Sequence, residues 1–67
     1  MEVDKDKLRA LRAHRVMTLD ELSKESGVTL NTIWRLESGY SKSARPSTIR
    51  KLAAALGVEP SELVESG

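Results

Sequence analysis

Residues 18–39 read TLDELSKESGVTLNTIWRLESG, two short amphipathic segments, each with its own start signal and with a glycine between them. Thr18 is a strong N-cap residue, and Glu21 three positions later completes a capping box. Met17, just ahead of the cap, is placed to staple onto Leu22. Leu19 and Leu22 supply apolar contacts, and Ser23 is small enough to let another helix approach. Gly27 stands where a left-handed C-cap residue belongs. The second segment restarts at once: Val28 inward, Thr29 as N-cap, Leu30 first in the helix. Ile33 and Leu36 face the core, and Ser38-Gly39 end the segment. Two helices joined this tightly form the motif that sets its second helix in a DNA groove.

Working outward, the spacing predicts a helix over about Asp4 to His14. Leu8 and Leu11 share one face, Arg9 and Arg12 lie beside them, and Asp4 and Asp6 suit the positive end of the helix dipole. Tyr40 to Arg45 is polar and reads as a loop. Pro46 suits the first position of a fourth helix, with Ile49, Leu52, Ala53 and Leu56 as its buried stripe and Gly57 as its stop. Pro60 opens a short fifth helix, with Leu63 and Val64 inward. No strand and no repeat is expected. The fold class is all-α, a compact five-helix bundle, with residues 1–67 forming one domain.

Composition narrows the function. With no cysteine and one histidine, His14, neither a disulfide framework nor a thiolate metal site is available. No metal and no cofactor are expected. Hydrophobic residues make up 39% and charged residues 31%, a balance that fits a folded domain rather than a disordered one. No apolar run is long enough for a membrane span or signal peptide, so a soluble cytoplasmic protein is the default. Net charge is +1, but it is unevenly spread. Residues 1–28 carry six basic and six acidic side chains, whereas residues 29–52 carry five basic (Arg35, Lys42, Arg45, Arg50, Lys51) and one acidic (Glu37). A local patch of this kind holds phosphates even on a nearly neutral domain. An ordinary solvated loop has the same composition, and charge alone does not choose between them.

With Ile33 and Leu36 inward, a 100° step per residue puts Asn31, Trp34, Arg35 and Ser38 on the opposite face, flanked by Leu30 and Thr32. Asn31 has the chemistry for a bidentate contact with adenine. Arg35 has it for guanine or a phosphate. Leu30 and Thr32 carry methyls suited to thymine methyls. Trp34, the one tryptophan, has three readings: a half-buried core edge, an apolar wedge against sugar or base edges, or a dimer contact.

These residues together resemble the lambda-repressor-like, Cro/C1-type helix-turn-helix family, also called the XRE family. The resemblance runs from LRALRAHRVMTLDELSKESGVT through LNTIWRLESG to IRKLAAALGVEPSELV. Its most specific parts are Ser23-x-x-x-Gly27, the Val28-Thr29 restart, Ile33 and the Leu36-Glu37-Ser38-Gly39 ending. The resemblance implies a transcriptional regulator, most often a repressor, that binds double-stranded DNA as a homodimer. It implies base contacts from Leu30, Asn31, Thr32, Trp34 and Arg35, and phosphate contacts from Thr18, Ser38, Lys42 and Arg45. It also implies an ion pair between Arg12 and Glu37. The chain departs from the family where Leu19 replaces a glutamine opening the second helix, where Val16 replaces a glycine before it, and where Trp34 fills a position commonly small or polar. The loop from Gly39 to Pro46 is also longer than usual.

Self-association, if built from this domain's own surface, is expected around Val58, Leu63 and Val64. Asp20 and Glu21 are adjacent acids that could form a contact for RNA polymerase. A competing class is a protein-interaction module, antitoxin-like or adaptor, with Trp34 and Leu30 as anchors. An enzyme is the weakest class: no nucleophile–base pair, phosphate-cradling glycine loop or metal-ligand spacing is present, and no catalytic residue is expected.

Overall fold

Three of the four α-helices begin where a side chain takes up free amides of the first turn, and the fourth begins at a proline. The computed structural model describes residues 1–65. Helix α1 spans Lys5–His14, and Asp4 caps it by accepting from the amides of Asp6 at 3.0 Å and Lys7 at 3.2 Å. Helix α2 spans Leu19–Ser26. Its capping box is complete: the Glu21 amide donates to Thr18 Oγ1 at 3.1 Å, and the Thr18 amide donates to Glu21 Oε1 at 2.8 Å. Helix α3 spans Leu30–Ser38 with Thr29 as its cap, and α4 spans Pro46–Leu56 with the proline at its first position.

The turn between α2 and α3 is held by side chains as well as backbone. Gly27 adopts φ 76°, a left-handed conformation that costs glycine little. Ser23 Oγ donates to the Val28 carbonyl at 2.6 Å, across the turn. The Val28 amide donates to Ser26 Oγ at 3.1 Å. Val28 itself is buried, so the turn is fixed at its apolar end too.

The core lies between the helices. Leu8 of α1, Leu22 of α2, Ile33 and Leu36 of α3, and Ile49, Leu52 and Leu56 of α4 are almost fully buried, joined by Val3, Val28, Ala53 and Leu63. Helix α2 packs on α3 and α4, and α1 packs on α3. One face of α3 therefore meets α1 and α2 while the other stays uncovered.

The fifth element is shorter and tighter than the sequence suggests. Pro60–Leu63 is a single 3₁₀ turn, not an α-helix. Four residues after the proline, the chain extends so that Val64 can pair with Val3, leaving no room for an α-helical ladder. Among the described residues the fold is thus four α-helices and one 3₁₀ turn, with no strand beyond isolated bridges. Those bridges are a second difference. Residues 1–3 run extended between the loop and the C-terminal segment. The Val3 amide donates to the Lys42 carbonyl at 2.8 Å, and the Asp4 amide to the Leu63 carbonyl at 2.9 Å. The Ala44 amide donates to Met1 at 2.9 Å, and the Glu65 amide to Glu2 at 3.1 Å.

The expected self-association patch must also be corrected. Leu63 is 1% exposed because it closes the core between α1 and α4. Val58 and Val64 are half-buried against the same core. Leu63 has no surface to offer a second copy. No helix among the described residues is long and apolar enough to cross a membrane.

Candidate nucleic-acid interface

Burial of Ile33 and Leu36 turns the opposite side of α3 outward, and five of the six residues singled out from the sequence, all but Ser38, fall there along two grooves. The first runs between the start of α2 and α3. It is open, largely apolar and about 710 Å³ in volume, lined by Arg12, Thr18, Leu19, Asp20, Leu30, Asn31 and Trp34. The second runs between α3 and the following loop, about 390 Å³, and brings Thr32 and Arg35 together with Arg45, Ser41, Ser43 and Thr48.

Trp34 is 51% exposed and Leu30 44% exposed, so neither is a core residue. Both lie on the wall of the first groove with Leu19, which also packs on the core. Asn31 is exposed, and its side chain makes no hydrogen bond among the described residues. Thr32 is half-buried, its hydroxyl within 2.8 Å of Thr29 Oγ1, which leaves its methyl as the group on offer.

The expected phosphate-contacting residues are not equivalent. Thr18 Oγ1 is an acceptor in the cap, so its hydroxyl hydrogen remains free to be donated. Ser38 donates its hydroxyl to the Arg35 carbonyl at 3.2 Å and accepts from the Tyr40 amide at 3.4 Å. Its hydrogen is spent on ending α3 and turning the chain. Arg45 is exposed and shares the second groove with Arg35. Lys42 lies elsewhere, along a groove lined by Glu2, Asp4, Lys5, Asp6 and Glu65. Glu65 there is raised above the usual carboxylate range by a hydrogen bond and repulsion from Glu2, with Asp4 adding to the repulsion and Lys42 opposing it.

Arg12 and Glu37 form the pair that the resemblance implies. Arg12 Nε donates to Glu37 Oε2 at 2.7 Å and Arg12 Nη2 to Oε1 at 2.9 Å, a bidentate fork. Arg12 Nη1 donates to the Met17 carbonyl at 2.7 Å, so the same guanidinium ties α1, α3 and the entry to α2 together. Glu37 is the one buried charged residue among those described, at 6% exposure. The hydrogen bond to Glu37 holds the Arg12 pKa above its ordinary value against the opposing effect of burial, with the carboxylate charge adding to the rise. Arg9 stands 3.9 Å from Glu37 and is solvent-exposed, a marginal contributor.

The paired acids at the start of α2 have local duties. Asp20 is 3.1 Å from Lys24, one turn on, with both exposed. Glu21 closes the cap, and the Thr18 amide holds its carboxyl below the usual range.

The sequence reading missed Tyr40. It is 75% exposed, and the Arg35 guanidinium carbon lies over its ring, 5.6 Å from the centroid. The available signal was compositional: Tyr40 is the one aromatic residue besides Trp34, and it immediately follows a helix-ending glycine.

A family profile described as helix-turn-helix (HTH_3) matches residues 8–63. The chain is 43% identical over 58 residues to the HTH-type transcriptional repressor RghR of Bacillus subtilis, covering 87% of this chain and 43% of that protein. Among solved structures, an HTH_3 family transcriptional regulator from Vibrio cholerae superposes with a TM-score of 0.80 at 29% identity, over 87% of this chain and 32% of that one. A hydroxyethylphosphonate dioxygenase also matches, with a TM-score of 0.85 at 30% identity, over 100% of this chain but 14% of the enzyme. The chain thus spans less than half the length of each of these proteins.

Proposed function

The chain belongs to the HTH_3 helix-turn-helix family, and from that premise we propose that it is the operator-reading part of a transcriptional repressor. The observation that carries this reading is the uncovered face of α3, where Asn31 and Arg35 present bidentate hydrogen-bonding groups with no carboxylate or amide partner among the described residues. Helix α3 enters the major groove with Leu30, Asn31, Thr32, Trp34 and Arg35 toward the base edges. Thr18 and the start of α2 meet a phosphate at the groove edge. Arg45 meets the backbone on the other flank, which positions without specifying. Two copies on a two-fold operator would read half-sites about 34 Å apart. The reading assigns recognition to this chain rather than a reaction.

Selection from random duplexes, followed by affinity measurements at several salt concentrations, tests it. Arg35→Ala should cost about 1–3 kcal/mol on the selected site and relax preference at one base pair. Unchanged selectivity in that variant would remove the base-reading role. A second reading rests on the apolar groove of Leu19, Leu30 and Trp34, whose aromatic anchor suits a protein partner. Binding to random duplex that is absent, or indifferent to salt, would favour it.

A further inference from the structure

We propose that Tyr40 is a positioning residue for Arg35 and thereby sets how sharply one base pair is read. The inference rests on the DNA-reading function proposed above. Arg35 sits near the end of α3, and its backbone carbonyl accepts from the Ser41 amide at 3.0 Å and from the Ser38 hydroxyl at 3.2 Å. Gly39, at φ 85°, turns the chain back so that these bonds form. The same turn carries Tyr40 under the Arg35 side chain, with the guanidinium carbon 5.6 Å from the ring centroid.

The chemistry of the partner matters. A carboxylate bracing Arg35 would engage the N–H groups that guanine O6 and N7 require. An aromatic face attracts the cation through its quadrupole and leaves the planar edge of donors free. Tyr40 therefore restrains a long, rotamer-rich side chain without spending its hydrogen bonds. Less freedom is then lost when the fork meets a base. The arrangement also accounts for an aromatic residue left 75% exposed in a polar loop.

The test compares the wild-type chain with Tyr40→Leu and Tyr40→Phe. The readout is the ratio of the Kd for the operator changed at the base pair whose preference Arg35→Ala relaxes to the Kd for the selected operator. Tyr40→Leu should lower that ratio about two- to fivefold, the strength of an exposed cation–π contact. It should leave affinity for random duplex and the melting temperature unchanged. Tyr40→Phe, which keeps the ring, should restore the ratio. An equal loss on all sequences would assign Tyr40 to the DNA backbone instead and overturn the proposal. So would a Phe variant as poor as the Leu variant, which would give the work to the hydroxyl, or an unchanged ratio in Tyr40→Leu. Should Arg35→Ala leave operator preference intact, the base-reading role of Arg35 falls and the role of Tyr40 with it, whereas absent or salt-indifferent binding to random duplex would sink the functional reading itself.

Discussion

At the scale of the residue, Val16 is the point of greatest local strain. It is the one non-glycine residue with positive φ among those described, at 53°, and its side chain is 87% exposed. The geometry comes from the end of α1, where the Val16 amide donates to the Ala13 carbonyl at 2.9 Å and the Met17 amide to the Arg12 carbonyl at 3.2 Å. That pattern is a Schellman ending, which needs a left-handed residue at this place. A β-branched side chain there meets its own carbonyl at a cost of about 1–2 kcal/mol, and exposure returns nothing in burial. Val16→Gly should therefore stabilise the chain by about 1 kcal/mol net of the added unfolded-state entropy. For a domain of this size that is about 4–8 °C in Tm, and a melting curve that does not move upward would refute the strain argument. The Arg12–Glu37 pair is the opposite case, with the two side chains 19% and 5% exposed and nearly every polar atom matched. Arg12→Met should cost about 3–5 kcal/mol because it strands a buried carboxylate. Adding Glu37→Leu should recover most of that loss. Chemical denaturation of both variants measures the difference.

At the scale of the element, the helices were legible because their boundaries are local chemistry. Thr18 with Glu21, Thr29, Pro46, Gly27 and Gly39 each act within one turn, so spacing along the chain is enough to place them. Asp4 was legible as an acid suited to the helix start, though it proved to be the cap just outside α1 rather than its first residue. What could not be read was set by distant partners. The 3₁₀ turn at Pro60–Leu63 is decided by the pairing of Val64 with Val3, some sixty positions away in the chain. Leu63 reads as inward from the sequence and is buried, which is why it cannot also serve the self-association patch. On the interface, the outward face of α3 followed from the helical period, whereas the commitment of the Ser38 hydroxyl and the stacking of Tyr40 depend on how the chain turns after Gly39. The α2 cap yields a pH prediction. Glu21 titrates below the usual range because its charged form accepts from the Thr18 amide. A carboxyl lowered on folding contributes stability that is present above its unfolded value, about 4.3. That contribution is lost as pH falls through the folded value. Glu21→Gln keeps the cap geometry without the charge. The Tm advantage of wild type over Glu21→Gln should shrink as pH falls from neutrality to below about 4.3. An advantage that stays constant with pH would mean the cap draws nothing from the charge.

At the scale of the whole molecule, net charge conceals a division of surfaces. The chain measures 29 × 21 × 20 Å, so no charge is far from any other, yet the grooves differ in sign. The groove holding Arg35 and Arg45 is lined by hydroxyls and contains no acid. The groove along which Lys42 lies is bordered by Glu2, Asp4, Asp6 and Glu65, brought there when residues 1–3 pair with the loop and with Val64. Counting bases along the sequence treats Lys42 and Arg45 alike; the packing of the N-terminal segment separates them. A cation already neighboured by carboxylates attracts fewer condensed counterion-displacing contacts from a phosphate, because part of its field is cancelled at short range. Each phosphate neutralised by the protein adds about 0.9 to the magnitude of the slope of log K against log salt. Arg45→Ala should therefore flatten that slope by about 0.9, and by a similar factor on specific and random duplexes. Lys42→Ala should change it by clearly less than half as much. Anisotropy titrations of both variants over a range of salt concentrations separate the two. Equal flattening would mean that Lys42 leaves its acidic neighbours to meet the backbone, and that the asymmetry of the two grooves does not govern how the chain sits on DNA.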